Sequence, residues 1–243
     1  MRAPAEDVTG TLAGKTVLIT GGDTGVGKEI AVSLAAQGAQ VVIQHPHAPE
    51  SAADVVKEIT GSGGSALALA ADIGDRLEYE ELVQALLEEC GHWDVLVTTP
   101  AAALTTPLAE LTADEFDSAF ATPARGVLHG LQLASAHLAD GGRVITVANA
   151  APPSTTVDEA ATGAIAEFTR LLAADFTPRR IAVNAVSAAT GRPDPNAARL
   201  LGPVSETTEI SEVVAFLASD AAEAVTAQHI RVARGGEGTG NTA

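Results

Sequence analysis

Residues 20–27 read TGGDTGVG, and their glycines have the spacing of a turn that binds phosphate. Residues 16–20 before this turn are a β-branched run suited to a buried parallel strand, and apolar positions after it recur at helical spacing. Glycines permit a tight strand-to-helix turn and let the backbone approach a pyrophosphate, whose charge is stabilised by the helix N-terminus. We therefore expect a nucleotide-binding turn. The alternative is a tight turn that serves packing alone.

Strand-like and helix-like segments alternate along the whole chain. The predicted helices include residues 28–37, 113–138, 158–176 and 208–219, and the predicted strands are residues 16–20, 40–44, 65–70, 94–98, 142–147, 181–186 and 229–232. This alternation predicts right-handed crossovers and a single α/β domain: a doubly wound parallel sheet of about seven strands with helices on both faces. We place this domain at residues 12–236, between a loose N-terminal arm (1–11) and a frayed tail (237–243).

Composition limits the possible partners. A chain of 243 residues, 46% of them hydrophobic, can bury the core of one such domain. The net charge of −17 argues against nucleic acid, because that binding depends on Lys and Arg neutralising phosphates. We expect a cytoplasmic protein with no membrane partner, since no apolar run could cross a bilayer and residues 1–7 lack a signal-peptide pattern. Cys90 is the only cysteine, and His45 with His47 lacks a third ligand, so no metal is expected.

Several separated motifs make the chain similar to the short-chain dehydrogenase/reductase family. They are LAGK at 12–15 before the TGxxxGxG turn, ADI at 71–73, DVLV at 94–97, IAVNAVS at 181–187, FLASD at 216–220 and the glycines at 235–236. The resemblance covers roughly residues 12–236. It implies a Rossmann-type fold and binding of an adenine dinucleotide, NADP or NAD.

The resemblance also implies which residues contact the dinucleotide. They are Gly21, Asp23, Thr24, Gly25, Val26, Gly27, His45, Asp72, Ile73 and Thr98. Asp72 corresponds to the family residue that contacts adenine, and His45 stands where an acid would bind the ribose hydroxyls of NAD. Because that acid is missing, and because His45 or Lys28 could approach a 2′-phosphate, we favour NADP over NAD. The chain could also have kept this site without using it.

At the family's catalytic positions, this chain has different residues. The family's Asn, Ser, Tyr and Lys correspond here to Pro123, Asn149, Asp158 and Thr162. The only tyrosine, Tyr79, falls in the third predicted helix, and no lysine follows Lys57. Carbonyl reduction in the family needs a phenol whose pKa is lowered by a nearby ammonium, whereas an ionised Asp158 has no proton to donate.

Three functions remain open at this stage. The main hypothesis is a degenerate, catalytically silent member that serves as an interaction or regulatory subunit, with an active family member as its partner. A second is a non-redox enzyme, such as a dehydratase, cyclase or lyase, with Asn149, Asp158 and Thr162 as replacement catalytic residues. The third is an NAD(P)-dependent reductase with non-standard catalytic residues. Small residues beside Ile165 and Phe168 also predict a homo- or hetero-oligomer through the helices at 113–138 and 158–176.

Overall fold

The structure, a computed structural model, describes residues 10–46, 49–100, 106–148, 156–188 and 206–232. In this part of the chain, seven parallel strands form one sheet in the order β3-β2-β1-β4-β5-β6-β7. The strands are β1 (Thr16–Thr20), β2 (Gln40–His45), β3 (Ser65–Ala70), β4 (Val95–Thr98), β5 (Arg143–Ala148), β6 (Ala182–Ala188) and β7 (His229–Val232). The direction of winding reverses between β1 and β4, which opens a crevice at the carboxyl ends of these strands.

Helices cover both faces of the sheet. They are α1 (Gly25–Ala36), α2 (Pro49–Gly61), α3 (Arg76–Cys90), α4 (Ala113–His137), α5 (Thr156–Leu171), α6 (Ala173–Phe176) and α7 (Glu206–Ala218). Buried side chains of α1, α2 and α7 share one hydrophobic core, and those of α3, α4, α5 and α6 share the other. Within β1, Val17 and Ile19 face the first core and Leu18 faces the second, so this strand is apolar on both faces.

The predicted doubly wound fold is confirmed, with small differences at the element ends. Helix α1 begins at Gly25, three residues earlier than predicted, because the end of the glycine turn already has helical hydrogen bonding. The helix predicted over 158–176 is divided at Leu172 into α5 and α6. Leu12, where the predicted domain begins, is fully buried and its N–H donates to Gln37 O (3.0 Å). No described helix combines the length and apolarity needed to cross a membrane.

Candidate functional site

The glycine turn lies between β1 and α1, in direct contact with the helix that follows it. Gly21 has φ +65° and Gly25 has φ +53°, and residues other than glycine rarely adopt these backbone conformations. A Cβ atom at Gly27 would lie 2.1 Å from Gly21 O, so α1 packs on the turn at a distance that only glycine allows. A Cβ at Gly25 would meet nothing within 4 Å, so the space beside the first turn of α1 is open.

The N-terminus of α1 is suited to an anion. Thr24 is its N-cap with an extended backbone; in the described residues its side chain makes no capping hydrogen bond, and the first turn contains no acid. The first N–H groups of a helix have no partners inside the helix, and the helix dipole adds positive potential there. With the open space at Gly25, this geometry fits a dinucleotide pyrophosphate.

Two neighbouring strands hold the turn in place. On the β2 side, Gln44 Oε1 accepts a hydrogen bond from Gly21 N–H (2.8 Å), and Gln44 Nε2 donates to Ala71 O (2.7 Å). On the β4 side, Thr99 Oγ1 donates to Thr20 O (2.6 Å), and Thr99 N–H donates to Thr20 Oγ1 (3.3 Å). Gln44 and Thr99 were not predicted as site residues. The sequence signal for Gln44 was a polar residue at the end of an apolar predicted strand.

The basic residues that were predicted to approach a 2′-phosphate are engaged or buried. Lys28 Nζ lies 2.9 Å from Glu58 Oε2, and this hydrogen bond raises the pKa of Lys28. His45 is 5% exposed, and its Nδ1 has no hydrogen-bond partner among the described residues. His47, the other half of the weighed metal pair, lies outside the described residues. Among the described residues, no group of three His, Cys, Asp or Glu side chains could hold a metal ion.

The predicted adenine-side residues follow β3. Asp72 is exposed; its Oδ1 accepts from Gly74 N–H (2.8 Å), and its N–H donates to Glu78 Oε2 (2.7 Å). Ile73 is half-buried, and its side chain lies against α4, where a Cβ at Gly126 would be 3.0 Å from Ile73 Cδ1. Asp72 is therefore reachable from solvent at the carboxyl edge of the sheet, beside the strand that carries Gln44.

Thr98 has an internal role. Its hydroxyl donates to Thr146 Oγ1 (3.0 Å), which donates to Thr169 Oγ1 (3.1 Å), which donates in turn to Ile165 O (2.9 Å). This chain of hydroxyls crosses from β4 through β5 to α5 and is buried. Val26 likewise packs against the core shared by α1 and α2. The side chains of Thr98 and Val26 thus support the framework around the site.

The four positions that the resemblance assigns to catalysis are only partly described. Pro123 lies inside α4, half-buried, and Thr162 lies in α5 with 3% exposure. Asn149 lies outside the described residues, and Asp158 belongs to α5 without a described side chain. Tyr79 is fully buried in α3, where burial raises the pKa of its phenol, so the only tyrosine belongs to the core. The replacement roles of Asn149, Asp158 and Thr162 stay predictions.

Comparison with known proteins gives consistent matches over nearly the whole chain. The family model described as enoyl-(acyl carrier protein) reductase matches residues 21–236. Hydroxynaphthalene reductase-like protein Arp2 of Metarhizium majus is 33% identical, covering 96% of this chain and 98% of its own.

Solved structures agree in fold as well as in sequence. A dehydrogenase/reductase from Sinorhizobium meliloti 1021 superimposes with a TM-score of 0.81 at 34% identity, covering 93% of this chain and 95% of its own. A short chain dehydrogenase from Burkholderia cenocepacia J2315 in complex with NADP has a TM-score of 0.79 at 29% identity, covering 93% and 98%. With the strand order and the glycine turn, these matches show that the chain belongs to the short-chain dehydrogenase/reductase family.

Proposed function

We propose that the protein is an NAD(P)H-dependent carbonyl reductase that works without the family's four catalytic residues. The observation that carries the proposal is the glycine turn. A helix N-terminus suited to an anion lies there beside open space at Gly25. Gln44 and Thr99 hold the turn in place through hydrogen bonds. NAD(P) is the cofactor class of the family, and in its reduced form it supplies a hydride. The relatives above are reductases and dehydrogenases, which favours a redox reaction over a non-redox one.

A carbonyl reductase needs a source for the proton that the product alcohol receives. Reduction of a carbonyl leaves an alkoxide that must be protonated, and a positioned acid lowers the barrier to that step. Tyr79 is buried in the core, and the hydroxyl of Thr162 is a far weaker acid than a phenol. A substrate that carries a phenol beside its carbonyl brings its own acid, with a pKa near that of tyrosine, about 10. The phenol gives its proton to the alkoxide, and the phenolate left behind takes a proton from water. We infer that the substrate is a hydroxylated fused-ring aromatic ketone, a class related to the substrate in the name of the Metarhizium relative.

A matched pair of substrates tests this proposal. A tetralone with a hydroxyl group beside the carbonyl should be reduced with consumption of NADH or NADPH, and its methoxy analogue should react at least tenfold more slowly because it has no proton to give. The Gly27→Ala variant serves as the control for contaminating reductases. Equal rates for the two ketones would contradict the substrate-supplied acid, and no reduction of either would contradict the reductase proposal.

The second candidate function is a silent subunit that binds a dinucleotide and regulates an active relative. Two observations favour it: the buried position of Tyr79 and the exposed apolar side chains on α4 and α5, which are Phe116, Leu128, Phe168 and Leu171. A two-fold contact through these helices would cover that surface. Light scattering of the protein alone and after co-expression with an intact relative from the same source tests it. A purely monomeric mass in both cases would contradict a subunit role.

A further inference from the structure

An acidic side chain lies inside the glycine turn. Asp23 is 8% exposed, and its Oδ2 accepts a hydrogen bond of 2.9 Å from Ser51 Oγ. Ser51 belongs to the first turn of α2 (Pro49–Gly61). The carboxylate is therefore held between the turn and α2 and does not extend into solvent as a surface acid would.

Asp23 directly follows the residue that ties the glycine turn to the end of β2. Gly22 N–H donates to Gln44 O (3.3 Å), which ties the turn to the last residues of that strand. Dinucleotide-binding folds place the adenosine ribose here: an acid about 20 residues after the glycines binds the 2′-hydroxyl of NAD, or an Arg accommodates the 2′-phosphate of NADP. His45 occupies the strand position of that acid. Asp23 supplies a carboxylate from the turn instead.

The two basic residues predicted to approach a 2′-phosphate are paired or buried. The ammonium of Lys28 is hydrogen-bonded to Glu58, and Glu29 and Asp54 lie near enough to act on it as well. His45 is 5% exposed. Neither of the two basic groups that sequence reasoning assigned to a 2′-phosphate is therefore free to neutralise one.

We propose that Asp23 is a specificity-determining residue that makes this protein prefer NAD(H) over NADP(H). A carboxylate accepts a hydrogen bond from a ribose hydroxyl, but it repels a phosphate, which offers only acceptors and further negative charge. This preference differs from the NADP choice that the sequence favoured, which depended on Lys28 or His45 reaching the phosphate. It also separates this chain from the Burkholderia relative solved with NADP. The inference rests on the dinucleotide-binding half of the proposed function.

Calorimetric titration of the full chain with NAD, NADP and their reduced forms tests the role of Asp23. We expect NAD(H) to bind the natural protein on the order of tenfold more tightly than NADP(H). In Asp23→Ser the advantage should fall by about tenfold, mainly because NADP(H) binds more tightly. Asp23→Asn keeps an acceptor for Ser51 Oγ and removes the charge, so it should show the same change if Asp23→Ser folds poorly. Asp54→Asn, an equal charge change at an exposed position of α2, is the matched control and should leave the ratio unchanged.

The outcomes separate this inference from the proposed function. Tight binding of both dinucleotides without discrimination, or a ratio that Asp23→Asn leaves unaltered, overturns the role of Asp23 alone. A ratio that Asp54→Asn changes as much as Asp23→Asn does also overturns it, because the effect would then be general charge and not this side chain. Failure of the folded natural protein to bind any of the four dinucleotides overturns both this inference and the proposed function.

Discussion

Substitution of Gly27 by Ala is the sharpest perturbation of the glycine turn. The new Cβ would lie 2.1 Å from Gly21 O and 2.9 Å from Gly21 C, and ordinary contacts begin near 3.4 Å. Because Gly21 O is a backbone atom, the turn and α1 must separate by more than an ångström. Overpacking of this kind typically costs about 1–3 kcal/mol of unfolding free energy. A domain of this size should therefore still fold, with the first N–H groups of α1 displaced from the pyrophosphate position.

Thermal unfolding in the presence of dinucleotide measures the loss. A ligand at a hundredfold excess over its dissociation constant stabilises the folded state by about 2.7 kcal/mol, which corresponds to a Tm rise of about 5–11 °C for a domain of this length. The natural protein should show this rise, and Gly27→Ala should show none. Gly61→Ala is the matched control, because a Cβ at that helical glycine meets nothing within 4 Å and lies away from the turn. A Gly27→Ala protein that keeps the full ligand-induced rise would refute the assignment of the turn.

Three further predictions concern the framework. Gln44→Leu leaves Gly21 N–H and Ala71 O without their side-chain partner, so the free energy of unfolding should fall by about 2 kcal/mol or more in a urea titration. Dinucleotide affinity, measured by calorimetry, should fall as well. Tyr79→Phe should be neutral or stabilising by urea titration, because it removes a hydroxyl that is buried without a partner among the described residues. The pKa of Glu115 is lowered mainly by a hydrogen bond from the Thr112 N–H and, to a smaller extent, by one from the Thr112 hydroxyl. The ionised Glu115 carboxylate therefore stabilises the fold fully at pH values above its ordinary pKa of 4.5. The stability lost in Glu115→Gln at pH 7 should therefore disappear in urea titrations as the pH falls through the lowered pKa.

The fold was predictable because its signals are local. The β-branched run of β1, the glycines after it and the alternating helices are each visible within a few residues, and parallel topology follows from their order. The division of α5 from α6 at Leu172 was not predicted, because the apolar spacing continues through it.

The geometry of the glycine turn was predictable because its residue types define the backbone. Gly25 and Gly27 were predicted from the glycines that such a turn requires, and the structure shows a positive φ at Gly25 and a close backbone approach at Gly27. Gln44 and Thr99 hold the turn through contacts between different strands, which no short segment of sequence contains. The resemblance predicted that Thr98, the last residue of β4, contacts the cofactor, and that contact stays a prediction. The direction of its hydroxyl toward Thr146 was not predictable, because it depends on strand pairing and packing.

The most direct test of the reductase proposal follows a deuterium atom. NADH and NADPH that carry deuterium at both C4 positions are incubated with the protein and the hydroxyl-bearing tetralone, and the alcohol product is analysed by mass spectrometry. The proposal predicts deuterium at the former carbonyl carbon with the natural protein and none with Gly27→Ala. A natural protein that binds the dinucleotide in calorimetry and transfers no deuterium to this ketone, or to a wider panel of phenol-bearing ketones, would contradict it and leave the silent subunit as the better account.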